Sequence, residues 1–310
     1  MKSASGALLP LFLLSAFPAT ATEPERPGVE AEEKQANEPI VVTGQDIRDA
    51  TRSFVKQLRI PEYGGQYARW EAPLCLQMIG WQKEHAANVK SLIERLTREI
   101  GHDVAGADCR PNMAIVLSPD PKRFVDQLRK SAPRIFTRFS RSQRRAATEG
   151  NQPVRLLLGA RDLNKDGQPI HFAGALAPPP GLEALGGISE SIVRGGGVGN
   201  SRIGTTVKSD FVAGVAVVDV HAIDGATFEG LSSYLAMRLL SGVPGSRIPD
   251  GGETILQLFQ ALGEEAQPPT KLSRWDMAFL RGLYGSTAAA RSVQQRGEII
   301  RSMRKSLALP

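Results

Sequence analysis

Apolar positions cluster most densely in Phe211–Leu240. Val212, Val215, Val217, Val218 and Val220 form a near-continuous β-branched run, which predicts a buried strand over Val212–Val220. Asp219 interrupts the run and Asp224-Gly225 supplies a turn. Thr227 is placed to cap a helix that runs to about Leu240. In that helix Leu231, Leu235 and Leu239 recur every fourth residue, and Ala236, Met237 and Leu240 widen the apolar face. Such a helix is expected to be buried nearly all round.

Other periodic segments flank this unit. Asp46–Leu58 predicts a helix with Phe54, Val55 and Leu58 inward. His85–Ile100 predicts another, with Val89, Leu92, Ile93, Leu96 and Ile100 in one stripe and Gly101 as its stop. Met113–Leu117 and Val154–Gly159 read as strands. Asp120 with Pro121 behind it opens a helix that turns Phe124, Val125 and Leu128 inward. Glu253–Leu262 predicts a helix ended by Pro268-Pro269. Ser273 and Asp276 form a capping-box variant before Trp275, Phe279, Leu280 and Leu283. A last helix, Ala288–Leu307, is expected to hold Val293, Ile300 and Met303 inside. Gly64–Cys75 is expected to be a loop or edge strand. The fold class these elements predict is α+β, a mixed β-sheet with flanking helices and a helical C-terminal part.

The first residues change the picture of compartment. Lys2, the apolar Ala7–Phe17 and the small-x-small Ala19-Thr20-Ala21 have the form of a secretory signal, with cleavage expected after Ala21. The apolar run is about half the roughly 20 residues a bilayer span needs. Residues 22–39, with six glutamates against Arg26 and Lys34, are expected to be a disordered acidic tail. Residues 40–310 then form one α+β domain. If that domain divides, the Pro- and Gly-rich 177–204 is where two lobes meet. Export to the periplasm allows the lone pair Cys75 and Cys109 to join. The loop so closed, about 35 residues, contributes about 3–4 kcal/mol in the chain-entropy model.

The net charge is +6 even with the acidic tail, so the rest of the chain is strongly basic. Arg129, Lys130, Arg134, Arg138, Arg141, Arg144 and Arg145 follow one another with no acid between them, and Phe136 and Phe139 interleave. Mutual repulsion predicts an extended or partner-bound segment. In an exported protein the fitting partner is an anionic envelope component, such as phosphorylated lipid heads or wall polymers, or another envelope protein. Nucleic acid is not expected, and no later segment reaches transmembrane length.

Catalytic motifs are missing. His85, His102, His171 and His221 lack metal-ligand spacing, and Asp162–Gly167 starts like an EF-hand loop but meets Ala173 where the bidentate glutamate belongs. Ser53–Lys56 spells S-x-x-K without its companion motifs, and the glycine-rich Arg194–Gly204 has no phosphate-loop pattern. No cofactor, metal ligand or catalytic residue is therefore assigned. The expected function is a non-enzymatic envelope-associated binding or structural protein, with Arg134, Arg138, Arg141, Arg144 and Arg145 as the contact set. The alternative is an envelope hydrolase whose carboxylates lie in a cleft near Arg69, Trp70, Ser201 and Arg202.

Several stretches carry a resemblance. GGQYARWEAPLC, ADCRPNMAIVLSPDP, SRIGTTVKSDFVAGVAVVDV, SSYLAMRLL and LSRWDMAFLRGLY, in this order over Gln45–Met303, resemble an uncharacterised family of exported alphaproteobacterial proteins. The resemblance implies no activity. The strand and buried helix also resemble, distantly, the core of zincin-type domains. GLSSYLAMRLL then stands where such a peptidase carries its metal ligands, which implies a lost site. Pro39–Gly44 resembles a segment near the mature start of TonB-dependent receptors, and it is expected here as an entry strand.

Overall fold

The computed structural model describes residues 44–164, 173–190, 207–246, 248–250, 253–264 and 266–308, all within the compact unit Thr43–Pro310. The expected signal, the tail, residues 39–43 of the entry strand, Lys165–Gly167, His171 and the glycine-rich stretch with Ser201 and Arg202 lie outside these residues.

The chain forms helix α1 (Gly44–Leu58), the hairpin β1 (Glu62–Tyr63) and β2 (Gln66–Tyr67), and then strands β3 (Arg69–Trp70) and β4 (Leu76–Ile79). Helix α2 (Lys83–Glu99), strand β5 (Met113–Ser118) and helices α3 (Pro121–Ser131), α4 (Pro133–Phe136) and α5 (Arg141–Glu149) follow. Next come strands β6 (Val154–Asn164), β7 (Ala173–Ala175), β8 (Ser189–Glu190) and β9 (Val207–Asp219). Helices α6 (Phe228–Ser241), α7 (Leu258–Gly263), α8 (Arg274–Tyr284) and α9 (Ser292–Leu307) complete the chain.

The architecture is mixed α/β. Strand β9 is the spine of a five-stranded, mostly parallel sheet. Antiparallel β6 runs along one of its edges, with a register shift between Gly159 and Ala160. Parallel β3 and then β5 share the other edge, and β4 pairs with β5 in parallel. The spine begins at Val207, five residues before the apolar run predicts. The polar Lys208, Ser209 and Asp210 extend it because β6 supplies pairing partners for all of them.

Alternation along the strands builds two cores. Met113, Ile115, Leu156, Leu158, Phe211, Ala216 and Val218 face α1, α2, α6, α8 and α9. Ala114, Val116, Leu157, Ala213, Val215 and Val217 face α3, α4, α5 and the 3₁₀ turn Glu183–Gly187. Helix α6 is buried from Gly230 to Ser241, as its composition predicts, and the Thr227 hydroxyl accepts the Gly230 N–H at 3.0 Å. A cap of this kind contributes about 1 kcal/mol.

Cys75 and Cys109 are bonded, with Cα atoms 6.1 Å apart. Cys75 enters β4, whose short LQMI run carries no strand signal in the sequence. The bond therefore ties the entries of two neighbouring parallel strands and closes the β4–α2–β5 unit. Asn112 reinforces it: its side-chain oxygen accepts the Cys75 N–H at 2.8 Å, and its own N–H donates to the Cys75 carbonyl at 3.1 Å.

Three apolar expectations need correction. Val220, expected in the buried strand, lies past the end of β9 at Asp219 and is exposed. Val293 is 75% exposed, because α9 buries the stripe Ser292, Gln295, Ile299 and Met303, and Val293 lies off that face. Glu253–Leu262 is not one helix but a 3₁₀ turn, Ile255–Gln257, running into α7. There the Thr254 hydroxyl accepts the Leu256 N–H at 3.3 Å and starts the turn.

A candidate anion-binding groove

The basic stretch folds into the α3–α4–α5 layer rather than an extended segment. Ile135, Phe136 and Phe139 are buried, and the two phenylalanine rings meet edge to face at 6.4 Å, so these aromatics are core, not a stacking platform. Burying each contributes about 1.5–3 kcal/mol. A like-charge pair four residues apart on a helix costs about 0.2–0.5 kcal/mol. Burial therefore wins over repulsion.

Ser140 starts α5 with a full capping box. Its hydroxyl accepts the Gln143 N–H at 3.2 Å, and the Gln143 side-chain oxygen accepts the Ser140 N–H at 3.1 Å. The Gln143 amide also donates to the Tyr63 hydroxyl at 3.1 Å. This fixes the rotation of α5. Arg141, Arg144, Arg145 and Thr148 then recur along one helical stripe. They line a groove of about 660 Å³ with Arg129 of α3, with Pro133, Phe136 and Thr137 of and just after α4, and with Glu149.

The cations in the groove are not equivalent. Arg145 is held by Glu149 at 2.7 Å and Arg129 by Asp126 at 3.1 Å. Arg141 and Arg144 make no ion pair among the described residues. The Arg144 Nε is buried without a hydrogen-bond partner there. Arg134 is exposed and Arg138 half-buried, and neither lines the groove. So of the five arginines the sequence singled out, the structure gathers Arg141, Arg144 and Arg145. It adds Arg129, which belongs to the basic run but not to the expected contact set, and Thr137 and Thr148, which carry no charge signal in the sequence. The signal for their arrangement was present: Ser140-Arg-Ser-Gln143 is itself a capping-box sequence, and it sets which face of α5 looks into the groove.

The cleft expected around Arg69 and Trp70 looks different. Trp70 is 1% exposed, and its ring N–H donates to the Leu239 carbonyl at 2.9 Å. Arg69 Nη1 lies within 3.0 Å of the carbonyls of Leu283, Tyr284 and Ser286, at the C-terminal end of α8. The nearby carboxylates are all engaged. Glu71 meets Arg69 and Lys208, each at 3.2 Å. Burial alone would raise its pKa, but these two cations outweigh burial and hold it below the ordinary range. Asp210 takes a bidentate pair from Arg161 at 3.1 and 3.2 Å, and burial raises its carboxyl despite that pair. Asp162 accepts the Ser209 hydroxyl at 2.8 Å.

Among the described residues no cluster of three or more His, Cys, Asp or Glu side chains is set to hold a metal, and no helix is long and apolar enough to cross a membrane. No family model, no curated protein and no solved structure matches the chain.

Proposed function

We propose that the protein is an exported, non-enzymatic envelope component that binds an extended anionic chain in the α3–α5 groove. The observation that carries this reading is the pair Arg141 and Arg144, which face one concavity with no ion pair among the described residues. Each guanidinium presents a planar fork that matches phosphate or carboxylate oxygens. The concavity favours a chain over a membrane surface, since a flat bilayer meets convex cationic patches and does not enter a groove. The exposed large apolar side chains point the same way: among the described residues these are Val220, Phe228 and Val293, and none of them lines the groove as an anchor for lipid. The signal-like N-terminus and the joined cysteines support an oxidising, extracytoplasmic site of action.

The test is binding to fluorescent polyphosphate and, in parallel, to phosphatidylglycerol vesicles at two salt concentrations. Polyphosphate binding should weaken steeply as salt rises, because exposed charges are screened over about 8–10 Å. Arg141→Glu with Arg144→Glu should weaken it at least about tenfold, equivalent to about 1.4 kcal/mol. Vesicle binding that survives while polyphosphate binding is absent would favour a lipid surface instead. Polyphosphate binding indifferent to both salt and charge reversal would overturn the assignment.

A further inference from the structure

A second concavity lies on the opposite side of the sheet. Helices α1 and α9 belong to the core that faces away from α3–α5. Where the start of α1 meets the end of α9, Ile47, Arg301, Arg304, Lys305 and Ala308 enclose about 390 Å³. Arg301, Arg304 and Lys305 fall on one helical face by their spacing of three and four residues. Two of them sit in the last turn, where the helix dipole favours positive charge, so their helix tolerates this crowding. None of the three makes an ion pair among the described residues. The nearest acid on α9 is Glu298, three residues from Arg301 and electrostatically coupled to it, which Thr287 and Gln294 already engage. No acid is among the residues that line this concavity.

We infer that the α1–α9 concavity is a second anion-binding site, so that one molecule can hold two anionic chains, one on each side of its sheet. The class of ligand rests on the reading of the α3–α5 groove; the existence of the site rests on its own cations. A molecule with two such sites can cross-link long chains, which a single groove cannot do.

The experiment uses the full chain and two probes. Short-chain polyphosphate, too short to reach both sites, gives the stoichiometry by calorimetry; long-chain polyphosphate gives cross-linking by light scattering. Wild-type protein should take two short chains and should scatter with long ones. Arg301→Glu with Arg304→Glu should lower the stoichiometry to one and abolish scattering while leaving the other site intact. Arg301→Gln with Arg304→Gln, which avoids placing acids at a helix C-terminus, should also lose scattering; its circular dichroism and melting curve check that the fold is retained. Arg141→Glu with Arg144→Glu should likewise leave one site. A wild-type stoichiometry of one that only the Arg141 and Arg144 changes abolish would overturn this inference and leave the groove reading standing. A single site lost only through Arg301 and Arg304 would do the reverse, and no binding at all would overturn both.

Discussion

Arg69 donates from Nη1 to the carbonyl oxygen of Ser286, at 2.7 Å, across 217 residues of sequence. The same nitrogen reaches the Leu283 and Tyr284 carbonyls, so one cation satisfies the unpaired end of α8 and favours it electrostatically. Strand β3 is thereby joined to the C-terminal helices. Arg69→Ala should lower stability by about 2 kcal/mol, the scale of hydrogen bonds to a charged donor. Urea unfolding measures this, and an unchanged midpoint would show that water replaces the contact without loss.

The disulfide should be present in purified protein: alkylation without reductant should leave Cys75 and Cys109 unmodified in the mass spectrum. Cys75→Ala should then destabilise by about 2–5 kcal/mol. Two alkylated thiols in the unreduced sample would contradict the bonded arrangement.

Gly80 ends β4 with φ +78, and a Cβ built there would lie 2.5 Å from the Leu117 carbonyl oxygen. The left-handed conformation costs a residue with a side chain about 1–2 kcal/mol, and the clash with backbone adds to it. Gly80→Ala should therefore lower stability by at least about 2 kcal/mol in thermal or urea unfolding. Gly101→Ala, also at positive φ but with open space where its Cβ would stand, separates the two costs: it should show the smaller loss.

His102 makes stability depend on pH. Burial is the main cause that holds its pKa below the ordinary value of 6.5, while its Nε2, 3.2 Å from the Ala72 carbonyl, opposes the shift in part. In the window between the lowered folded value and 6.5, the unfolded chain binds a proton that the folded protein does not. Stability contributed here is therefore present above 6.5 and lost as pH falls through that window. Unfolding midpoints at pH 7.5 and 5.5 should differ, and His102→Gln should reduce the difference. An equal drop in both proteins would assign it to other groups.

The sequence by itself determined the local elements whose signals are short-range. The Thr227 cap, the all-round burial of α6, the Asp120-Pro121 start of α3 and the Ser273–Asp276 box all followed from residues within a few positions of one another. It also marked the Arg129–Arg145 cations, because composition alone displays them. Tertiary structure decided everything that depends on partners distant in sequence. Arg69 and Trp70 attract notice as a charged and an aromatic residue in an irregular stretch, yet their partners are Ser286 and Leu239, far along the chain, and these make them structural. The basic stretch carries a charge pattern that argues for an extended chain. Burial of Ile135, Phe136 and Phe139 against the sheet reverses that outcome, because a few buried side chains outweigh several screened repulsions. The pairing of Arg141 with Arg144 over one groove, and the separate gathering of Arg301, Arg304 and Lys305 beside Ile47, follow from how the helices are rotated and packed. Helix periodicity shows which residues share a face, but only packing against the sheet and neighbouring helices decides where that face points.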